Sequence, residues 1–426
     1  MRRAVRRKPH SNNDAQSQDS STAQTQPQPS TASQSVATLY LTALDVNAPG
    51  GFLDVMSQLP SGQKDTRPRK FNSNNSTNTN NSDSSNNDAS NSTSSNDSKI
   101  TPTKSRVTVK SRVRGVIKLQ DKLNVSSKSN FELDLGGSVL FQGAGLHFDS
   151  CSNFKISNVL VDVGSSAVLN SGVDGSSLDC MTLFACSEAE VCDNELFHST
   201  DETFTIGQGC NHVNFHHNII AYPMDNTKLH DGEHHAYATC FISDKAGDEN
   251  VFHHNLVVSC LSRMPRFDGD GGVDFSNNVI VNPGQKLGYN DPDSATKINY
   301  HDNWIYSGPD TTDGIALLLL NGTDTVAWCS NNRLDNQPYA VVKTKSGKKG
   351  AASNSVTSAK RNPLPWCTPL AGKSLANAGA LVGYFVPKTD LASDTLAFVK
   401  GLVVSPSRVY SNQFRIQSQW TPVSLV

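Results

Sequence analysis

From about residue 150 to 335 the sequence repeats a short pattern of a few alternating apolar residues, an asparagine and a second apolar run. The copies read FKISNVLV, EVCDNELF, HVNFHHNII, NVFHHNLVV, GVDFSNNVIV and KINYHDNWIY, with aligned asparagines Asn158, Asn194, Asn218, Asn255, Asn278 and Asn303. The steps from 194 to 218, 255 to 278 and 278 to 303 are 24, 23 and 25 residues. A period in that range marks stacked supersecondary units. Each copy reads as one strand, a bend and a second strand. Alternation of period two (Val213 and Phe215, Val273 and Phe275, Ile298 and Tyr300) makes the unit extended, which excludes helical solenoids and predicts an all-β parallel β-helix with these apolar residues pointing inward. An asparagine at the bend tolerates left-handed backbone geometry and hydrogen-bonds to its copies above and below, so a buried ladder is expected.

The repeat does not account for the whole chain of 426 residues. Residues 1–36 are rich in Gln, Ser and Asn, and 72–98 are almost wholly Asn, Ser, Thr and Asp, so neither buries enough apolar surface to offset the entropy of ordering. The expected organisation is a disordered low-complexity tail at 1–36, a β-helix domain at 37–410 carrying a disordered insert at 72–98, and a C-terminal tail at 411–426. Residues 106–148 hold short alternating strands that extend the coil backwards. TLYLTALDVNAPGGFLDVMSQL (38–59) reads as a strand, a tight turn and a short amphipathic helix, suited to the cap a solenoid end needs. Residues 313–332 add one or two more strands ending in Asn331 and Asn332, and 370–402 read as a loop with helical turns along the outside.

Five basic residues at the start (Arg2, Arg3, Arg6, Arg7, Lys8) invite a nucleic-acid or anionic-surface reading, but a solvated tail is the plainer one. No apolar run follows them, so the start does not read as a secretory signal peptide, and no stretch is long enough to cross a membrane. A formal net charge of −2 argues against general capture of a polyanion, so an anionic substrate must be held locally. Nine cysteines without a CxxC pair give neither a metal framework nor a dense disulfide scaffold. Cys180, Cys192, Cys240 and Cys260 fall within or beside strand patterns, as small buried apolar residues do.

Two gaps in the asparagine series are long, 36 residues from 158 to 194 and 37 from 218 to 255, and extra residues in a solenoid map to loops on one face, often the binding face. The second gap carries Asp225, Lys228, His230, Asp231, Glu233, His234 and His235. Its HxxxHH spacing admits a zinc reading, against which stands a solvated loop. Asp179 and Asp201 are 22 residues apart, about one coil, and Glu202 adjoins the second. Stacked acids repel unless a cation neutralises them, and hard oxygen ligands suit calcium; the alternative is exposed turn residues. Arg263 and Arg266 flank Met264 and Pro265 directly after a strand. A rigid strand end can aim an arginine at a substrate, whereas a surface ion pair is the plainer use of both.

These residues carry a resemblance. HHNLVVSCLSRMPRFDGDGGVDFSNNVIVN (253–282) resembles the signature HHNLF…RNPR…NNVIYN of the pectate lyases of polysaccharide lyase family 1, within the pectin lyase-like superfamily. STDETFTI (199–206) is similar to that branch's WGTDExxSI, LDCMTLFACSEAEVCDNELF to its DAISI…DHCSF, VRGVIKLQDKLNV to its VSGxIxLxxxLxI, and YLTALDVNAPGGFLDVM to its cap. The resemblance implies a right-handed parallel β-helix and calcium-dependent cleavage of α-1,4-polygalacturonate, the backbone of pectin, by β-elimination. Arg263 matches the position that removes the proton at C5, Asp179 and Asp201 match calcium-binding acids with Glu202 beside them, and Arg266 matches an arginine that fixes the site or binds substrate carboxylate. Lys228 is the nearest candidate for a substrate-binding lysine, although it lies upstream of the family's position. Thr205 stands where many relatives have a further acid, and Asp268 where many have an arginine.

Three functions therefore remain open at the level of sequence: a calcium-dependent pectate lyase, a β-helix that binds acidic polysaccharide without cleaving it, and a calcium-independent pectin lyase. A hydrolytic polygalacturonase is disfavoured, because no NTD…DD…GHG series is present. The expected partner is an acidic polysaccharide, with neither nucleic acid nor membrane involved and a monomer as the working form. Secretion is expected from the resemblance alone. Asn75 and Asn91 lie in glycosylation sequons.

Overall fold

The computed structural model describes residues 37–62, 106–164, 177–225, 230–243, 248–321, 324–334, 337–338 and 342–344. The expected tail at 1–36, the insert at 72–98, the outer loop at 370–402, the C-terminal tail at 411–426 and Lys228 lie outside the described residues.

The chain winds as a parallel β-helix whose strands fall into three sheets of ten, ten and nine strands. In the first sheet Ser129–Asp134, Ser152–Ser157, Ser187–Cys192, Asn211–His216, Glu249–His253, Gly272–Ser276, Lys297–His301 and Val326–Ser330 succeed one another. After the bend, Leu160–Asp162, Glu195–Phe197, Ile219–Ala221, Leu256–Val258, Val279–Val281 and Trp304–Tyr306 form the second. The third contains Met181–Phe184, Glu202–Ile206, Tyr237–Ser243, Arg266–Gly269, Gly288–Asn290 and Leu318–Leu320. Each winding thus contributes three strands where the repeat predicts two. The third lies in the stretches between repeat copies, where lengths vary and alternation is too brief to register as a period.

Alternation within the first sheet sends one side of every strand inward, as expected. Val213, Phe215, Val273, Phe275, Ile298 and Tyr300 are all fully buried. Parallel pairing in register stacks Phe215 on Phe252, Phe252 on Phe275 and Phe275 on Tyr300, with ring centroids 4.8, 4.8 and 4.9 Å apart. Such pairs add about 0.5–1.5 kcal/mol each beyond the area they bury. Cys180, Cys192, Cys240 and Cys260 are buried, and the described cysteines form no disulfide.

The asparagine ladder is present, with a division of labour that the repeat does not reveal. The backbone N–H of Asn194 donates to Asn218 Oδ1 (2.9 Å), that of Asn218 to Asn255 Oδ1 (2.9 Å), that of Asn255 to Asn278 Oδ1 (2.9 Å), that of Asn278 to Asn303 Oδ1 (3.0 Å) and that of Asn303 to Asn332 Oδ1 (3.1 Å). The left-handed backbone belongs to the residue before each rung: Asp193, His217, His254, Asn277, Asp302 and Asn331 have φ of 59°, 55°, 56°, 55°, 55° and 52°. One residue turns the chain and the next supplies the buried amide. Asn158 accordingly is not a rung. It occupies the turning position at φ 56°, and Val159 takes the ladder place, its N–H donating to Asn194 Oδ1 at 3.0 Å.

The N-terminal end is closed as predicted. Thr38–Leu41 pairs with Val107–Ser111, and the helix Phe52–Ser57 buries Phe52, Val55 and Met56, with Phe52 edge-on to Phe141 at 5.1 Å. Among the described residues no helix is long and apolar enough to cross a membrane.

Candidate active site on the third sheet

Four successive windings bring acidic, aromatic and basic side chains to the N-terminal ends of the third sheet's strands. Asp179 lies two residues before Met181–Phe184, Asp201 immediately precedes and Glu202 opens Glu202–Ile206, Tyr237 opens Tyr237–Ser243, and Arg263 lies three before Arg266–Gly269. Pairing of Met181 with Phe204, of Glu202 with Tyr237 and of Tyr237 with Ser262 sets this register. Backbone bonds hold the ends together: Thr200 N–H donates to Leu178 O (3.0 Å), and Thr239 N–H to Arg263 O (2.8 Å).

Asp179, Asp201 and Glu202 each offer a carboxylate oxygen within 4.8 Å of the others. Burial and the charge of Asp201 raise the pKa of Asp179 to about 7, although Thr182 Oγ1 donates to its Oδ2 at 2.8 Å. Two carboxylates this close disfavour joint ionisation unless a cation sits between them. The donor set is hard oxygen throughout, which fits calcium, with water or a ligand carboxylate needed to complete six to eight contacts. Thr205, on the same strand as Glu202 and paired with Thr182, contributes a hydroxyl rather than a further carboxylate.

Arg263 is the most constrained side chain of the group. Its Nη1 is ion-paired with Glu202, its Cζ lies 3.8 Å from the centroid of the Tyr237 ring, and its Nε is buried without a hydrogen-bond partner. Burial lowers its pKa from the usual arginine value. The backbone carries φ of 63°, a left-handed conformation that costs a residue with a Cβ about 1–3 kcal/mol and persists where surrounding structure enforces it. That enforcement is visible: Met264 N–H donates to Leu287 O, and the buried Tyr300 hydroxyl donates to Met264 O at 3.0 Å.

Arg266 stands three residues further on, facing Cys240 and Tyr289 in the ladder. Its Nε donates to Asp291 Oδ2 at 2.8 Å, its Nη2 engages the same carboxylate, and Asp268 lies 3.4 Å away. The planar fork is therefore occupied by protein carboxylates, as a residue that fixes the site would be.

The histidine-rich segment folds over the acids. His230 Nε2 is 2.7 Å from Thr200 O, its ring stacks on His235 at 3.6 Å, and His235 Nε2 lies 4.0 Å from Asp201 Oδ1. His234 instead pairs with the exposed Asp225. Tyr237 is a member of the site that no sequence signal marked, and His235, noted only within the HxxxHH spacing, lies beside Asp201. A lone aromatic at a strand start and one histidine among three carry no signal in sequence; only the register places them beside Arg263 and Asp201.

No family model matches the chain, and no curated protein matches it. Among solved structures it is similar to jun a 1, the major allergen from cedar pollen, at 14% identity and a TM-score of 0.43, over 58% of this chain and 74% of that one. It is also similar to a pectate lyase from Bacillus sp. N165 in complex with trigalacturonate, at 14% identity and a TM-score of 0.41, over 60% and 81%. A third is the thermostable pectate lyase PL 47, at 13% identity and a TM-score of 0.37, over 55% and 65%.

Proposed function

We propose that the chain is a calcium-dependent pectate lyase that cleaves α-1,4-polygalacturonate by β-elimination. The observation that carries this reading is the convergence of Arg263 with Asp179, Asp201 and Glu202 from three windings onto one strand-end face. Asp179 and Asp201, with Glu202 beside them, are the residues that would hold calcium. When bound beside the uronate carboxylate, the ion supplies positive charge that acidifies the proton at C5.

The protein's own groups have separable tasks. Asp179 and Asp201 would hold the ion where the carboxylate of a sugar acid could meet it. Arg263 takes the C5 proton as the bond from C4 to the glycosidic oxygen breaks; the electron pair of C5–H becomes the C4–C5 double bond, and the leaving oxygen is protonated from solvent. Burial makes a neutral or readily deprotonated guanidine less costly, while Tyr237 and Glu202 fix its direction. Arg266, clamped by Asp291, holds the strand end that presents Arg263. Secretion, expected of an enzyme acting on a polymer outside cells, belongs to the same proposal.

A second reading, binding of acidic polysaccharide without cleavage, is favoured by one feature: the Glu202 ion pair stabilises the protonated guanidinium, which is no base. One assay separates the two. Unsaturated elimination products absorb in the ultraviolet, so the full chain is incubated with polygalacturonate and calcium, then with chelator, then with methylated pectin. Absorbance that requires calcium supports the lyase. Binding without absorbance on either substrate sinks it, and chelator-resistant absorbance on methylated pectin replaces calcium dependence with a pectin lyase.

A further inference from the structure

A second cluster of metal-ligating side chains lies on the first sheet. Strands Ser152–Ser157, Ser187–Cys192 and Asn211–His216 run side by side, with Ser157, Cys192 and His216 in one register row. Alternation places Glu190 and Cys192 on the same outward side of their strand, and His216 directly beside Cys192 on the next. Cys151, Cys180, Cys186, Cys210 and Cys260 pack into the hydrophobic core, whereas Cys192 belongs to a row of Ser157, His216, His253, Ser276 and His301.

We propose that Glu190, Cys192 and His216 form a binding site for a divalent transition metal of the zinc type. Their donor atoms all lie within 4.8 Å of one another. His216 Nε2 is 3.4 Å from Glu190 Oε1, and Cys192 Sγ is 3.9 Å from the same oxygen. A tetrahedral ion with bonds of about 2.0 Å to nitrogen and oxygen and about 2.3 Å to sulfur sets these edges at about 3.3 and about 3.5 Å. These two edges are therefore within a few tenths of an ångström of the tetrahedral values, and the third, between Cys192 and His216, lies within 4.8 Å.

The surroundings prepare the imidazole. His216 Nδ1 lies 2.7 Å from His217 Nδ1, a contact in which one ring donates, so a proton on His216 Nδ1 leaves Nε2 as the lone-pair donor. The His253 ring stacks on His216 at 5.0 Å with planes 9° apart and fixes its orientation. His253 Nε2 is itself 2.9 Å from Asn214 Oδ1, so the proposed site has three protein ligands, and water or a small anion would complete a tetrahedral shell. Lys155 Nζ, 3.0 Å from Glu190 Oε1, holds the carboxylate until an ion displaces it. Binding releases the Cys192 thiol proton, and the mixed sulfur, nitrogen and oxygen set differs in kind from the all-oxygen cluster at Asp179.

The test uses the reduced full chain and cobalt(II) as probe. One equivalent of cobalt is expected to give a thiolate-to-metal charge-transfer band in the near ultraviolet with tetrahedral visible absorption, both removed by zinc. Cys192→Ser should abolish the band, His216→Ala should weaken cobalt binding at least about tenfold, and Asp179→Asn should leave the band unchanged. X-ray absorption of the zinc-loaded wild-type protein, which requires no variant, should show one sulfur neighbour. Absence of the band in the wild-type protein, a band that survives Cys192→Ser in a folded variant, or a zinc shell without sulfur would each overturn the proposal.

Discussion

The guanidinium carbon of Arg263 lies 3.8 Å from the centroid of the Tyr237 ring, and Nη1 of the same side chain is paired with Glu202. The two residues come from adjacent windings, and their contact holds a cation flat against an aromatic face while an acid fixes its edge. Cation–π contacts of this kind contribute about 0.5–2 kcal/mol.

Arg263→Lys keeps the charge and loses the planar fork, so it is expected to lower kcat on polygalacturonate by about 10²–10⁴-fold while the melting temperature falls by no more than a few degrees. Tyr237→Phe should leave kcat within a few-fold, and Tyr237→Ala should reduce it by up to about tenfold through loss of the stacking surface. Steady-state kinetics with circular dichroism melts check both. Full activity in Arg263→Lys removes this residue from the chemistry.

Asp179 supplies a pH-dependent cost. Its folded pKa, raised to about 7, exceeds the unfolded value near 4, so the folded state binds more protons between these limits. In chelator, stability therefore falls as pH rises from about 4 to about 7, and calcium should restore it most at the upper end. Asp179→Asn should flatten that dependence and shrink the calcium-induced rise in Tm. A calcium response in Asp179→Asn equal to wild type would count against the site.

The histidine stack has the opposite sign. Burial first, and the charge of His216 second, lower His217 and His254 to about 4 and His253 to about 2. An unfolded histidine titrates near 6.5, so the unfolded chain binds more protons below that value. Their contribution is fully present above pH about 6.5 and lost as pH falls toward 4. Urea unfolding at several pH values should show this loss, reduced in His253→Gln; an identical profile in that variant would contradict it.

Asn255 sits in the middle of the ladder. Its Oδ1 accepts from Asn218 N–H, and its Nδ2 donates to Phe215 O (3.2 Å), His253 O (2.9 Å) and Asn278 Oδ1 (3.0 Å). Asn255→Ala removes the acceptor of the buried Asn218 N–H and the amide that donates to these carbonyls, at about 1–3 kcal/mol for each group left unsatisfied, while Asn278 Oδ1 keeps the backbone N–H of residue 255. Asn158→Ala, at a half-buried turning position, should cost much less. Equal losses by denaturant titration would show that the ladder is not what holds the bend.

Much of the coil was legible in residue order because its causes are local. Alternation at Val213 and Phe215 or Val273 and Phe275 decides which face is buried, and the PGG turn before Phe52 marks the cap. The shift of Asn158 by one place was not legible. A turning residue and a ladder residue are both served by asparagine, and only the hydrogen bond from Val159 to Asn194 tells them apart.

Residue order by itself determined the winding, the inward rows and the asparagine ladder, since a short-range period dictates each of them. It also put Asp179 and Asp201 about one winding apart. Tertiary structure alone decided that Tyr237 and Glu202 would clasp Arg263, that His235 would lie near Asp201, and that Cys192 would meet His216. Those meetings depend on how many residues each winding spends between its strands, and parallel pairing converts that count into register only once the whole coil is closed.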